Sequence, residues 1–462
     1  MDERPPQERE PVLDRPVTSV LARFAADLTI EAMPSSARER TKDLLLDALG
    51  AALAGLGEPD TGRVRRLTET LFGPGTSTVI GGGSGCLAGA TVVNAHLVSS
   101  VSLCDVHYPT WCHLTPEVVP PALAVGESRA SSGERLLLAI AAGCELTARI
   151  GLGLNYRAFH DRGWNTSGVT GVFGSAAAAG LLLGLDAVAL AHALGIAGAQ
   201  AAGSDAQRGT PTVRFHQPRA ALSGLVGAQL AAEGFTAMPD VLADPAGGVY
   251  VTHSDGGRPE RAVRSLGSVW ELEDVWLTRL PMALLMRNVV DVLLELTREA
   301  RLDQAEIEQV TIALSPRAYE LYGEMDFTST ARARTCPRFV AAVVTRDRRC
   351  GLDQFVADEL ADPVLRSFAD ERVRIVADAG LAERAVRVEL VDRRGTRRTH
   401  ARAVAHGDAA DPLTHGEVVD KFRTAASGAL SDQAQLGVVG FVEDLENQAD
   451  VGRLLALLRG AR

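Results

Sequence analysis

Residues 99–121, SSVSLCDVHYPTWCHLTPEVVPP, decide how the chain is organised. Asp105, His107 and His113, three side chains able to move protons, fall with Cys104 and Cys112 within ten residues. Tyr108, Pro109 and Trp111 break any helical period, so the stretch reads as a stiff loop. Long apolar segments rich in Ala and Gly flank it on both sides. A polar, aromatic loop between apolar helices has the composition of a pocket lining. The same residues also suit a buried loop whose histidines satisfy backbone groups.

Outward from this loop, the pattern predicts helices over 17–32, 34–55, 61–72 and 86–101 upstream, with Ser35 as an N-cap and Gly55 near a C-cap. A short strand or extended turn is expected at 77–83. Downstream, helices are expected over 118–127, 133–152, 173–183, 187–203 and 219–234. Polar loops at 155–170 and 204–218 separate them. Residues 163–185 carry no Asp, Glu, Lys or Arg. Their Gly, Ser, Thr and Ala content favours a buried helix over a membrane span. Near 268 the pattern changes to alternating strands at 310–313, 373–377, 385–390 and 396–405, with helices at 284–299 and 338–344. The chain returns to amphipathic helices over 414–425 and 438–458. The expected fold is mainly α, a large helical domain with a smaller inserted α+β lid. Its parts are a disordered tail over 1–16, helical domain over 17–267, lid over 268–408 and the rest of the helical domain over 409–462.

The formal net charge of -11 argues against a nucleic-acid or anionic-membrane partner, but a site can be locally basic and take an anionic small molecule. Six scattered cysteines with no CxxC fit reduced thiols in a cytoplasmic protein. The N-terminus has no apolar core of a signal peptide. GGGSG at 81–85 lacks the GK[ST] of a phosphate loop. The cysteine and histidine spacing in 104–113 lacks a CxxC or HxxxH pair, so no metal site is expected.

Six strings in order, LLLDALGAALAG (44–55), AGATVVNAH (88–96), HLTPEVVPPALA (113–124), GVTGVFGSAAAAGLLLGLD (168–186), FHQPRAALSGLVGAQLAAEGF (215–235) and ARTCPRFVAAVV (333–344), resemble the MmgE/PrpD family. That family includes 2-methylcitrate dehydratase, cis-aconitate decarboxylase and iminodisuccinate epimerase. The resemblance implies a helical domain plus α+β lid, a cleft between them, a homodimer, and chemistry on di- or tricarboxylates with no cofactor.

Matched residue by residue, the family's first loop Asp falls on Ser102 and its Thr on Val106. The second Asp falls on Asp105 and the His on His113, with one residue inserted between. A further family His falls on Asn165, and another near Ala283. Two family lysines fall on Val213 and Thr278. The resemblance therefore implies His113 as acid/base with Asp105, and the loop adds His107 as a third catalytic candidate. Tyr108, Trp111, His160, Asn165, Arg208, Arg214, Thr278 and Arg279 are the substrate-binding candidates. Arg214 and Arg279 each follow a lost lysine by one residue and are able to replace it as carboxylate clamps. Loss of two lysines points to a small organic substrate less anionic than citrate, handled by a lyase or isomerase through proton transfer. An isomerase or cyclase of a neutral metabolite, or a non-catalytic binding homologue, also fits.

Overall fold

Ten helices lie before residue 235 in the computed structural model, which describes residues 15–460. They are α1 (Val17–Ala26), α2 (Ser35–Ala54), α3 (Thr61–Phe72), α4 (Leu87–Ser100), α5 (Thr115–Ser128), α6 (Gly133–Gly153), α7 (Tyr156–Asp161), α8 (Thr166–Leu183), α9 (Ala187–Gly198) and α10 (Thr212–Ala232). Most of the tail expected over 1–16 lies outside the described residues. Small residues let the helices approach closely. A Cβ on Gly143 of α6 would lie 2.8 Å from the Gly174 carbonyl oxygen of α8, so no larger residue fits that crossing. By length and composition α6 and α8 could each span a membrane, yet 89% of each apolar window is buried inside the protein.

Leu44, Leu49, Val118 and Leu137 share one hydrophobic core with Val418, Phe422, Phe441 and Leu454 from the chain's last fifty residues. The C-terminal helices His415–Ala426, Asp432–Glu443 and Gly452–Leu458 thus complete the helical body. Between the two parts lies a separate core built by helices Leu284–Ala300 and Pro337–Asp347 on a four-stranded sheet. The strand order is Val373–Ala377, Ile307–Leu314, Val386–Asp392, Arg397–Arg402. The first pair is parallel and the others antiparallel. The parallel pair needs a crossover, which the helices between the two strands supply. The fold is therefore mainly helical with a small mixed sheet, as the sequence implies.

Several boundaries move, each for a local reason. Helix α5 starts at Thr115, three residues before the expected 118, because the Asp105 carboxylate accepts hydrogen bonds at its first turn. It continues through Pro120 and Pro121. Helix α8 starts at Thr166, where Asn165 Oδ1 accepts from the Gly168 amide at 3.0 Å. The polar run 204–218 becomes helix from Thr212, so Val213, Arg214 and His216 belong to α10 and not to a loop. Helix α2 begins at Ser35 with Pro34 in the cap position and no side-chain cap, so Ser35 is not the N-cap.

The C-terminal part also holds the loop at 99–121. Lys421 is buried in an ion pair with Asp47 of α2, and its Nζ donates to the Leu103 carbonyl at 2.6 Å. Removing one partner leaves the other charge buried alone, which costs far more than removing both. Lys421→Met should therefore lower stability by about 3–5 kcal/mol. The double variant Asp47→Leu/Lys421→Met should regain most of that loss in urea unfolding. Equal destabilisation of the single and double variants would refute the ion-pair account.

Candidate active site

A cavity of about 420 Å³ opens between the helical body and the sheet domain. The body contributes the 102–113 loop and the starts of α8 and α10, and the other wall is Met282–Arg287, Tyr322 and residues 329–335. Five arginines and three carboxylates line it. Each carboxylate has its own arginine: Glu58 pairs with Arg334 at 2.7 Å, Asp205 with Arg208 at 2.6 Å, and Asp60 with Arg63. Arg214 and Arg287 remain without a carboxylate among the described residues. Among the described residues the Arg214 side chain donates only to the Ser102 hydroxyl. Arg287 has no hydrogen-bond partner among the described residues, and its Nε is buried. Burial pulls Arg287 down to about 10 and lowers Arg214 as well. Both stay charged at neutral pH. In a protein whose net charge is -11, this cavity carries two positive charges in excess.

His113 stands on the same lining. Its Nδ1 donates to the Asp105 carbonyl oxygen at 2.5 Å, and Ser167 Oγ accepts its backbone amide at 2.9 Å. The first bond fixes the Nδ1–H tautomer and leaves the Nε2 lone pair as the acceptor. Burial first, then the Arg214 charge, lowers its pKa, so the ring is neutral at pH 7. A fixed, neutral imidazole beside two guanidinium groups suits proton removal from a carboxylate-bearing carbon.

Asp105 does not reach the cavity. It is fully buried, and its carboxylate accepts from the Leu114 amide at 2.8 Å, the Thr115 amide at 3.1 Å and the Thr115 hydroxyl. It positions His113 and is not itself a reacting group, which corrects its assignment as catalytic. His107 is also corrected. It is fully buried, its Nδ1 is 2.8 Å from Thr110 Oγ1, and its Nε2 is directed toward Glu271 at 3.7 Å. Its backbone pairs with Val275, as Val106 pairs with Trp276, tying the loop to the segment that enters the sheet domain. Among the described residues no three metal-ligating side chains converge.

The binding candidates divide. Trp111, His160, Asn165, Arg208 and Arg214 line the cavity. Both nitrogens of His160 are engaged, one 3.2 Å from Arg317 and the other 3.4 Å from Asp205, so it bridges the two walls. Asn165 Oδ1 is engaged as the α8 cap, as given above. Tyr108 lies outside the lining, stacked on Trp276 at 4.5 Å beneath the Arg384 guanidinium. Thr278 is buried, with its hydroxyl bonded to Leu280 backbone on both sides, and it is not part of the cavity lining. Arg279 is half-exposed and directed toward Glu417 at 3.9 Å, so it cannot act as the second clamp.

Arg287, Arg334 and His96 also line the cavity, Arg287 without a carboxylate among the described residues and Arg334 paired with Glu58; the sequence reading missed all three. Arg287 had a signal, a lone cation on the apolar face of LLMRNVVDVLLEL. Arg334 sits in the quoted ARTCPRF string, and His96 ends AGATVVNAH. Burial raises the Cys104 and Cys112 thiols above their ordinary range, so neither is a thiolate nucleophile. Glu117 is fully buried with neither oxygen hydrogen-bonded among the described residues, and burial, then the Asp105 charge, raises it well above its ordinary value.

The MmgE/PrpD N-terminal domain matches residues 19–262 and the C-terminal domain residues 281–446. Cis-aconitate decarboxylase of Aspergillus terreus (strain NIH 2624 / FGSC A1156) is 28% identical over 475 residues, covering 96% of each chain. The cis-aconitate decarboxylase-like protein oryM of Aspergillus oryzae (strain ATCC 42149 / RIB 40) is 26% identical, over 96% of this chain and 97% of its own. Cis-aconitate decarboxylase of Homo sapiens is 25% identical, over 91% of this chain and 90% of its own. With one domain model covering more than half of the chain and a second covering most of the rest, this protein belongs to the MmgE/PrpD family.

Proposed function

We propose that this protein is a lyase or isomerase acting by proton transfer on a small mono- or dicarboxylic acid. The observation that carries this reading is the pairing pattern of the cavity. Three carboxylates are matched by three arginines, and Arg214 and Arg287 are left for the substrate. A carboxylate on each guanidinium would gain charge-assisted hydrogen bonds and relieve a costly buried charge. A neutral ligand would leave Arg287 unmatched. His113 Nε2 then removes a proton from the carbon next to a held carboxylate, and the guanidinium stabilises the charge moving onto its oxygens. The protonated ring returns the proton at another position or to the leaving group.

The relatives named as cis-aconitate decarboxylases raise a tricarboxylate as a candidate. Two free guanidinium groups match two carboxylates, and Thr278 and Arg279 lie outside the cavity. Decarboxylation of cis-aconitate and dehydration of 2-methylcitrate are therefore expected to be absent or very weak. The direct test is deuterium exchange, followed by NMR, on a panel of C3–C6 mono- and dicarboxylic acids with purified protein. Exchange or turnover of at least one acid is expected. No exchange across the panel would overturn the reading.

With that acid, His113→Asn should lower kcat by about 10²–10⁴-fold with little change in KM. A rate unchanged in this variant would remove His113 from the mechanism. Because the base must be neutral and its pKa lies below 6.5, kcat/KM should be flat above pH 7 and fall as the pH drops through that pKa. Arg287→Gln should raise KM by about 10–100-fold through loss of one charge-assisted carboxylate contact.

A further inference from the structure

A second, smaller cavity of about 90 Å³ adjoins the first. Trp111, Tyr156, His160, Arg208, Leu284 and Tyr322 line both, so the two spaces share one wall. Beyond that wall the annexe is bounded by Trp276, Leu285, Leu321 and Ala318. Its cations are already matched. Arg384 pairs with Asp408 at 2.8 Å and lies over the rings of Tyr108 and Trp276 at 4.0 and 4.6 Å. Arg317 pairs with Glu320 at 2.9 Å. Glu383 is exposed at the rim, where its charge would repel a carboxylate. The main cavity offers unmatched positive charge, and the annexe offers aromatic and aliphatic surface.

Trp111 marks the junction. Its φ is +52°, a left-handed conformation that costs a bulky residue free energy. The surrounding backbone enforces it: the His107 amide donates to the Cys112 carbonyl at 2.8 Å, and the Trp111 amide to the Tyr108 carbonyl at 3.1 Å. The ring is thereby fixed between Tyr108 at 4.8 Å and Tyr156 at 6.5 Å, centroid to centroid. Strain held this firmly at a cavity boundary points to substrate selection.

We infer that the substrate is an amphipathic acid whose carboxylates sit on Arg214 and Arg287 while an uncharged alkyl or aryl arm passes Trp111 into the annexe. This rests on the carboxylate reading of the main cavity. Burying an arm against those rings adds affinity in proportion to its apolar area, and a charged arm would gain nothing there.

Calorimetric titration of the full-length protein with succinate, methylsuccinate and benzylsuccinate tests it. Affinity should rise along the series, with benzylsuccinate at least tenfold tighter than succinate. Ala403→Phe and Leu321→Phe fill the annexe from two different elements, and in each the benzylsuccinate-to-succinate ratio should collapse toward one. Benzylsuccinate binding no tighter than succinate in the unaltered protein would overturn the inference, as would a ratio that survives in both folded variants. If none of the three acids binds and Arg287→Gln changes nothing, the carboxylate reading itself fails, and the annexe assignment falls with it.

Discussion

Asp105 holds together the parts that the site needs. Its carboxylate closes the first turn of α5, satisfying donors that a helix start leaves unpaired. Its carbonyl oxygen, on the same residue, sets the tautomer and aim of His113. One side chain and one backbone atom thus link a helix start to an imidazole. The chain on either side has no freedom to drift: Val106 and His107 pair with Trp276 and Val275, and Lys421 holds the Leu103 carbonyl. Helix α2 supplies the fixed post behind both ties, through Asp47 to Lys421 and Arg40 to the Val275 carbonyl. A side chain held by backbone and buried ion pairs keeps its geometry without help from a ligand.

That rigidity makes the electrostatics possible. Two guanidinium groups with no carboxylate beside them would draw in water or move toward anions if their supports were loose. Arg214 rises from the first turn of α10, partly buried, and Arg287 from the first turn of Leu284–Ala300, buried. Ser102 stands where the family resemblance places an Asp. A carboxylate there would neutralise Arg214, whereas the hydroxyl accepts a hydrogen bond and leaves the charge in place. The loop therefore orients a base and also preserves the positive charge beside it.

The helical body was legible because small and apolar residues at helical spacing declare buried helices, and the change to alternating patterns near 268 declared the sheet. The site was legible in part. His113 and Arg214 were readable from their strings, and their neighbourhood follows from the loop. Asp105 and His107 were misassigned because acid/base capacity shows in sequence, while the direction of a side chain is set by partners 8 to 10 residues away or on another segment. Arg279 failed for the same reason: adjacency to a lost lysine says nothing of which way the chain turns. Arg287 and Arg334 lay in segments read as packing elements, and their place in the cavity depends on how the sheet domain docks. A lone cation in an apolar helical run is the signal that such a reading should weigh, because burying it demands an anion.

Replacing lysines by arginines at different positions changes more than charge. An ammonium is a point charge that tolerates many carboxylate orientations, whereas a guanidinium grips both oxygens in one plane. With Arg214 and Arg287 on separate, well-packed elements, two such planes are fixed relative to His113. In the proposed reaction, only those carbon–hydrogen bonds that lie toward Nε2 when both carboxylates are gripped would be broken. On that proposal the fixed planes would restrict the acids that react, alongside the number of charges. The strained Trp111 stands at the edge of that space, where the proposed arm would pass. Selectivity in the proposed reaction would come from rigid placement, and the buried anchors of the 99–121 loop are what hold that placement.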